Sequence, residues 1–147
     1  MLESILENNF ENKMVLDMGC GTGILAIMAS KSGASQIVAI DYDPICFEST
    51  IENATLNDIT NIVARCGSKE VIPEKQFDII LANINRNILL DQMKRYAEVL
   101  AAKGELYISG FYESPDLEIL IAEAEVNDLK YISHKVNKEW VCAKFIK

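Results

Sequence analysis

The chain has 147 residues, half of them apolar, and 14 Lys and Arg against 22 Asp and Glu give it a formal net charge of −8. One domain of this length can bury a sizeable core without disulfides, and the negative balance argues against a nucleic-acid partner, whose phosphates attract basic proteins. No apolar run approaches the roughly 18–20 residues that span a bilayer, and the acidic N-terminus does not resemble a signal peptide, so we expect a cytoplasmic protein without membrane contact.

The apolar pattern predicts an alternation of helices and strands along the whole chain. The first half is predicted to contain a helix over 2–10, a strand over 14–18, a helix over 24–31, a strand over 37–40, a helix capped by Asp43 and Pro44 that runs to about Asn57, and strands over 61–66 and 77–82. The second half is predicted to contain a helix with Leu89, Met93, Tyr96, Ala97 and Leu100 inward, a strand over 105–109, a helix from Ser114 and Pro115 with Leu117, Leu120, Ile121 and Ala124 inward, and strands near 130–134 and 140–146.

Strands that are apolar almost throughout and are separated by helices are typical of a parallel sheet covered on both faces. The last two strands are joined only by residues 135–139, too few for a crossover, so they must form an antiparallel hairpin. The predicted fold is α/β: a doubly wound, mostly parallel, seven-stranded Rossmann-like sheet with an antiparallel hairpin. Ligands of such sheets bind beyond the C-terminal ends of the strands, at the point where strand order reverses.

A glycine-rich loop follows the first strand. The segment Asp17–Gly23, called the glycine loop below, contains Asp17, Gly19, Cys20, Gly21, Thr22 and Gly23. Its glycines allow a sharp turn and a close approach of the backbone to a ligand, with a helix N-terminus behind it. A nicotinamide dinucleotide site would have glycine at the sixth position counted from Gly19, but that position is Ile24.

An acidic residue closes the second strand. Asp41 follows Gly19 by 22 residues, and a carboxylate at this place can accept hydrogen bonds from both hydroxyls of an unphosphorylated ribose. The other interpretation of Asp41 is a helix cap, a role that Asp43 already fills. The neighbouring Tyr42 is a candidate to lie against an adenine ring.

A third polar position follows the fourth strand. Because this strand should lie next to the first, Asn83 is expected to emerge beside the glycine loop. Its amide can both accept and donate hydrogen bonds to an amine. The other interpretation is an asparagine that caps the helix beginning near Asn85.

These three elements together resemble class I S-adenosylmethionine-dependent methyltransferases. The segments VLDMGCGTGILAIMASKSGA, VAIDYDP, FDIILANINRNILL, GELYISGFYE and NKEWVCAKF are similar to the bacterial ribosomal protein L-eleven methyltransferases, and the similarity runs from Leu2 to the end of the chain. The glycine loop and Asp41 are common to the superfamily, whereas LANINRN, ISGFYE and KEW point to the ribosomal-protein enzymes.

The resemblance implies an N-methyltransferase that uses S-adenosyl-L-methionine and modifies amino groups of a basic large-subunit ribosomal protein. It implies that the glycine loop contacts the methionine part of the cofactor, that Asp41 binds the ribose, and that Asn83 is the catalytic residue near the reactive methyl. Many class I enzymes hold adenine with an acid after the third strand. Here that place is Gly67-Ser68, so we expect adenine to be held at Ser68 by a backbone N–H and by stacking.

We expect residues 1–147 to form one cofactor-binding domain without the family's N-terminal substrate-recruiting domain. Three other functions stay open: a methyltransferase of small molecules, a module that binds the cofactor without transferring methyl, and, against the loop spacing, a nicotinamide dehydrogenase. No metal site is expected, because Cys20, Cys46, Cys66 and Cys142 are scattered and the single histidine, His134, lies in the late hairpin. Tyr112 and Trp140 are expected to be mainly structural.

Overall fold

The computed structural model describes Met1, Glu3 and residues 7–147. The strands are β1 (Met14–Met18), β2 (Gln36–Asp41), β3 (Ile62–Cys66), β4 (Phe77–Asn83), β5 (Leu100–Tyr112), β6 (Lys130–Asn137) and β7 (Trp140–Ile146). The α-helices are α1 (Ile24–Lys31), α2 (Pro44–Leu56), α3 (Arg86–Val99) and α4 (Glu118–Val126), with a 3₁₀ turn at Lys69–Val71 and a π turn at Glu113–Leu117. None of the described helices is both long and apolar enough to cross a membrane.

The seven strands form one sheet in the order β3-β2-β1-β4-β5-β7-β6. Strands β1 to β5 run parallel to one another, and β7 pairs antiparallel with both β5 and β6. The predicted mostly parallel sheet with its antiparallel hairpin is therefore confirmed. Strand order reverses between β1 and β4, where Met18 lies opposite Ala82, so the start of the glycine loop and the end of β4 are neighbours.

Both faces of the sheet are covered, as expected for strands that are apolar throughout. On one face α3 and α4 bury Leu89, Met93, Tyr96, Leu120 and Ala124 against the sheet. On the other face α1 packs Leu25, Ala26 and Ala29 against β1, β2 and β4. Each central strand contributes alternate residues to the two faces, which fixes its register and the position of its C-terminal end.

Helix caps place two of the helices beside the site. The Asp43 carboxylate accepts the Ile45 N–H at 2.9 Å, with Pro44 at the first helical position, as the sequence predicts. Asn85 caps α3 by accepting the Ile88 N–H at 3.1 Å. The cap of α3 is thus Asn85, and the Asn83 side chain is left for another role.

Several boundaries differ from the predictions. The fifth strand begins at Leu100 instead of 105, and a left-handed residue at Lys103 (φ 63°) breaks its register with β4. The link between β6 and β7 shortens to residues 138–139, because the left-handed Lys138 allows a tight turn.

The two remaining differences lie at helix starts. The segment at Ser114 does not begin an α-helix, because Ser114 is extended before Pro115 and α4 begins only at Glu118. Of the helix predicted over 2–10, Leu2 and residues 4–6 lie outside the described residues. Residues 7–10 are not helical and end in the fully buried Phe10.

Candidate active site

A cavity of about 780 Å³ opens at the C-terminal ends of β1, β2, β3 and β4, on both sides of the β1 end. Its volume is in the range of sites for small organic ligands. The residues that line it come from these strand ends and from the first half of α3: Met18, Gly19, Ile40, Asp41, Tyr42, Asp43, Cys46, Gly67, Ser68, Asn83, Ile84, Asn87, Ile88, Asp91 and Gln92. We call it the first cavity. Its position is the one that the strand order predicts.

The glycine loop is tied to the end of β2 by three backbone donors. The N–H groups of Gly19 and Cys20 both donate to the carbonyl of Ile40, at 2.8 and 3.1 Å. The N–H of Gly21 donates to Oδ2 of Asp41 at 2.9 Å. The loop and the acid at the end of β2, which are far apart in sequence, therefore form one rigid unit.

Asp41 is the best anchored acid of the cavity. Its side chain is 7% exposed, Oδ2 accepts the Gly21 N–H, and Oδ1 accepts the Asp43 N–H at 3.0 Å. A carboxylate has about four acceptor sites, so each oxygen can accept one more hydrogen bond from a ligand. This geometry suits the two adjacent hydroxyls of a ribose.

Asp17, one of the residues predicted to bind a cofactor, lies beneath the loop and does not line the cavity. It is fully buried on the α1 side of β1, where Oδ2 accepts the Ala26 N–H at 3.1 Å. Oδ1 has no hydrogen-bond partner among the described residues. Burial raises the pKa of Asp17 to about 7; the hydrogen bond from the Ala26 N–H, the next largest effect, lowers it, and the negative charge of Asp41 adds a smaller rise. In this position Asp17 supports the start of α1.

Four other loop residues predicted to bind a cofactor support the loop and do not line the cavity. Cys20 is buried, its thiol lies 3.3 Å from the Thr50 hydroxyl, and burial raises its pKa to about 12. The rest of the loop, Gly21 to Gly23, faces α2. The Thr50 hydroxyl donates to the Gly21 carbonyl at 3.0 Å, and the Asn53 amide donates to the Thr22 carbonyl at 2.8 Å. Sequence reasoning missed Thr50, whose only signal is a polar residue on the inward face of α2.

Gly19 and Gly21 have the same left-handed backbone but very different surroundings. A Cβ at Gly19 (φ 70°) would lie 2.1 Å from Cγ2 of Ile84, whereas at Gly21 (φ 55°) nothing lies within 4 Å. We expect Gly19→Ala to lower the free energy of unfolding by about 2–3 kcal/mol, and Gly21→Ala by only about 1 kcal/mol from backbone strain. Chemical denaturation of the two variants measures this difference, and equal losses would contradict the close packing of Gly19 on Ile84.

The loop after β3 offers Ser68 to the cavity, but not the backbone N–H groups that the sequence suggested. The Ser68 N–H donates to Oε1 of Glu70 at 2.8 Å, and the Gly67 N–H donates to the Asp41 carbonyl at 2.9 Å. Both donors are therefore already engaged. Tyr42 also lines the cavity and is 75% exposed, so its ring face is available for stacking.

Asn83 lies where the first cavity meets a second one. The second cavity has a volume of about 660 Å³ and lies over the β5, β7 and β6 side of the sheet. Asn83 is the one described residue that lines both. Its side chain is exposed, and none of the described residues makes a hydrogen bond to it. An unpaired amide at such a junction can contact ligands in both cavities at once.

The second cavity has an apolar wall that includes the start of α1 and the start of β7. Ile24 and Trp140 are about half exposed there, at 54% and 52%, and Ser109 and Cys142 are buried beneath them. Trp140 stacks on Tyr112 with ring centroids 5.1 Å apart. The pair packs the hairpin, as expected, and also holds the Trp140 ring in one position at the edge of the cavity.

The charge of the first cavity distinguishes between ligand classes. None of the described residues that line it is Lys or Arg, whereas three are aspartates: Asp41, Asp43 and Asp91. A phosphate or pyrophosphate would face this acidic surface without a cation. A ligand with a ribose and a positive charge, but no phosphate, would be attracted to it.

The remaining titratable groups do not form a metal centre in the described part of the chain. No group of three or more His, Cys, Asp or Glu side chains is placed to hold a metal ion there. All four cysteines are unpaired. His134 lies between the Tyr131 hydroxyl, at 2.6 Å, and the Glu113 carboxylate, at 3.1 Å, away from the first cavity.

Comparisons with known proteins agree with this geometry. Residues 1–147 match the family described as ribosomal protein L11 methyltransferase (PrmA). The chain is 43% identical over 146 residues to the ribosomal protein L11 methyltransferase of Bacteroides thetaiotaomicron, covering 99% of this chain and 52% of that protein. It is 45% identical over 146 residues to the enzyme of the same name from Porphyromonas gingivalis, covering 99% and 50%. The chain thus spans about half the length of these relatives.

Solved structures show the same fold. The ribosomal protein L11 methylase of Lactobacillus delbrueckii subsp. bulgaricus superposes with a TM-score of 0.91 at 28% identity, covering 98% of this chain and 74% of that one. M. jannaschii TYW2, solved in complex with AdoMet, superposes with a TM-score of 0.77 at 23% identity, covering 99% and 75%. The second likeness is one of fold alone.

Proposed function

Because this chain belongs to the ribosomal protein L11 methyltransferase (PrmA) family, we propose that it binds S-adenosyl-L-methionine in the first cavity and directs its methyl group to amino groups of a basic large-subunit ribosomal protein. The observation that carries the proposal is the anchored Asp41 beside the glycine loop, in a cavity lined by aspartates and by no described Lys or Arg. These carboxylates fit a cofactor with a free ribose and a positively charged sulfur, and they do not suit the pyrophosphate of a nicotinamide dinucleotide.

Five of the predicted cofactor-binding residues line the first cavity and are proposed to contact the cofactor. They are Gly19, Asp41, Tyr42, Ser68 and Asn83. Asp41 would bind the ribose hydroxyls, Tyr42 and Ser68 would contact adenine, and Gly19 would face the methionine part. Asp17, Cys20, Gly21, Thr22 and Gly23 would act indirectly by holding the loop. When bound, the cofactor supplies a methyl group on a positively charged sulfur that an amine nitrogen can displace.

The acceptor amine has to lose its proton before it can react. A lysine with the usual pKa of about 10.4 costs roughly 4.6 kcal/mol to deprotonate at pH 7. The apolar wall formed by Ile24 and Trp140 would disfavour the charged ammonium, and Lys138 at the same cavity adds a like charge. These two effects lower the pKa of an amine in the second cavity, whereas the carboxylate of Glu3, which also lines it, acts in the opposite direction. We therefore propose that the acceptor enters through the second cavity.

Asn83 is proposed to orient that amine, because it lines both cavities and its amide is not engaged by any described residue. No described histidine lies at this junction to act as a base, so catalysis would consist mainly of alignment. We expect Asn83→Ala to lower methyl transfer about 10- to 100-fold while the dissociation constant for S-adenosylhomocysteine changes less than threefold. Unchanged transfer at unchanged cofactor affinity would contradict this role. Asn85→Asp, which keeps the α3 cap two residues away, is the matched control.

Binding calorimetry tests the cofactor proposal directly. The chain should bind S-adenosylhomocysteine and show no binding of NAD at the same concentration. Binding of NAD instead would favour the dehydrogenase reading. Binding of S-adenosylhomocysteine without methyl transfer to purified ribosomal protein L11 would favour a cofactor-binding module.

The net charge of −8 suits a basic acceptor, and ribosomal proteins are found in the cytoplasm, where four unpaired cysteines would stay reduced.

Methylation of a small amine but not of the ribosomal protein would favour the small-molecule alternative. Radiolabelled methyl transfer to each acceptor in turn separates the two.

A further inference from the structure

Three side chains connect the buried core to the wall of the first cavity. The Tyr96 hydroxyl donates to Oε1 of Gln92 at 2.5 Å, and Nε2 of Gln92 donates to the Ser68 hydroxyl oxygen at 2.8 Å. Tyr96 is fully buried, Gln92 is 3% exposed, and Ser68 lines the cavity. Tyr96 and Gln92 lie one turn apart on α3, and Ser68 follows β3. We call these residues the Tyr96–Gln92–Ser68 relay.

The direction of the hydrogen bonds in the relay is fixed at its buried end. A separation of 2.5 Å belongs to an O–H···O bond and is too short for an N–H···O bond, so the amide oxygen of Gln92 faces Tyr96. Burial raises the pKa of Tyr96, so the phenol keeps its proton and acts as the donor. The amide nitrogen, which can only donate, must then face Ser68.

This direction determines what Ser68 offers to a ligand. Its oxygen already accepts the proton of Gln92, and none of the described residues accepts the proton of its own hydroxyl. The Ser68 O–H is therefore a donor directed by the relay to the cavity. The Ser68 oxygen keeps a second lone pair and could still accept a hydrogen bond, but only a ligand acceptor at this place also satisfies the Ser68 proton in a filled cavity, so an acceptor is favoured there.

We propose that the relay makes the first cavity select adenine through its unprotonated N1 and reject purines that carry a proton on N1. The inference rests on the proposed function, because it takes the nucleoside of the cofactor as the ligand. With the ribose at Asp41 on the end of β2, the base extends toward β3, the next strand of the sheet, and Ser68 follows β3. The edge of adenine farthest from the sugar carries N1, an acceptor, whereas hypoxanthine has an N1–H donor at that place.

Gln92 and Tyr96 act through Ser68 and are positioning residues. Tyr96 does not line the cavity, and Gln92, which does, has its amide oxygen engaged by Tyr96 and its amide nitrogen by Ser68. Their effect is to make the Gln92 amide donate to the Ser68 oxygen, which leaves the Ser68 proton to be donated to a ligand. The quantity that reports this effect is the ratio of affinities for two purines, which a general loss of stability does not change.

The test compares binding of S-adenosylhomocysteine and S-inosylhomocysteine by calorimetry. We expect the unmodified chain to prefer the adenine compound by at least about tenfold. Ser68→Ala removes the donor at the cavity surface and should bring the ratio close to one. Tyr96→Phe frees the Gln92 amide to turn over and should reduce the ratio as well. Gln92→Glu, once a high pH has ionised the buried carboxyl group, offers acceptors to both neighbours, so Ser68 donates inward and the preference should shift toward the inosine compound.

Tyr107→Phe is the matched control, because Tyr107 is a buried tyrosine whose hydroxyl bonds Glu105 on the opposite face of the sheet. It should leave the ratio unchanged. Equal affinities of the unmodified chain for the two compounds would overturn the relay and leave the proposed function standing. A failure to bind S-adenosylhomocysteine at all would overturn the proposed function and the relay with it. Ser68→Ala, a change at the cavity surface, keeps the test decisive if a core variant fails to fold.

Discussion

Replacing Asp41 with asparagine should weaken the binding of S-adenosylhomocysteine by about 100-fold or more. The carboxylate is held by the N–H groups of Gly21 and Asp43, at 2.9 and 3.0 Å. An amide in its place turns an NH₂ group toward one of these donors and loses one acceptor for the ribose. Hydrogen bonds to a charged group contribute about 1.5–3 kcal/mol each, and two orders of magnitude correspond to about 2.8 kcal/mol.

Asp43→Asn is the matched control for this change. Asp43 lines the same cavity, so its substitution removes the same unit of negative charge. Asparagine is as good a helix cap as aspartate, so α2 should keep its start. We expect the affinity for S-adenosylhomocysteine to fall less than fivefold in this variant. A similar loss in both variants would mean that the cavity acts through its overall charge and not through the anchored carboxylate.

Asp17→Asn should make the protein more stable above pH 7, by about 4 kcal/mol. The pKa of Asp17 is raised from an ordinary value of 3.8 to about 7 in the folded chain, mainly by burial. Between these two pH values the unfolded chain loses the proton and the folded chain retains it. The contribution of protonated Asp17 to the free energy of unfolding is complete below pH 3.8 and is lost as the pH rises to 7. Asparagine has the shape of the protonated acid and does not titrate.

Urea unfolding at several pH values between 4 and 8 measures this effect as a difference between the variant and the unmodified chain. The difference should grow with pH and level off above 7. Asp78→Asn provides the control, because the Asp78 carboxylate also accepts a neighbouring strand's N–H, that of Met14 at 2.8 Å, but is only partly buried. Its substitution should bring no gain in stability at high pH. A difference for Asp17→Asn that does not depend on pH would show that Asp17 is ionised in the folded chain.

The order of elements was predictable because each central strand is a short apolar run between turn residues, and the crossovers from β1 to β2, from β2 to β3 and from β4 to β5 each contain a helix. The strand over 14–18 and the helix over 24–31 have the predicted bounds. Polar residues that follow successive strands were likewise expected to meet at one edge, and Asp41 and Asn83 do line one cavity. These inferences need only local pattern and strand order.

The parts of the site that depend on distant partners could not be read from the sequence. Thr50 and Gln92 are polar residues on inward helix faces, and only the fold shows that they contact Gly21 and Ser68, respectively. The Ser68 N–H looked available because the sequence does not reveal that Glu70 turns back to accept it. Asp17 had a local signal: as a neighbour of Met18 in a strand, it points to the opposite face, toward α1.

The position of β7 between β5 and β6 has a consequence for how the chain can fold during synthesis. Strand β6 is made before β7 but has no place in the sheet until β7 has paired with β5. The five parallel strands can therefore assemble in step with translation, whereas β6 must wait while the ribosome adds the residues of β7. The edge of β5 stays open in that interval, so the nascent chain is most exposed to pairing with other chains just before this last strand emerges.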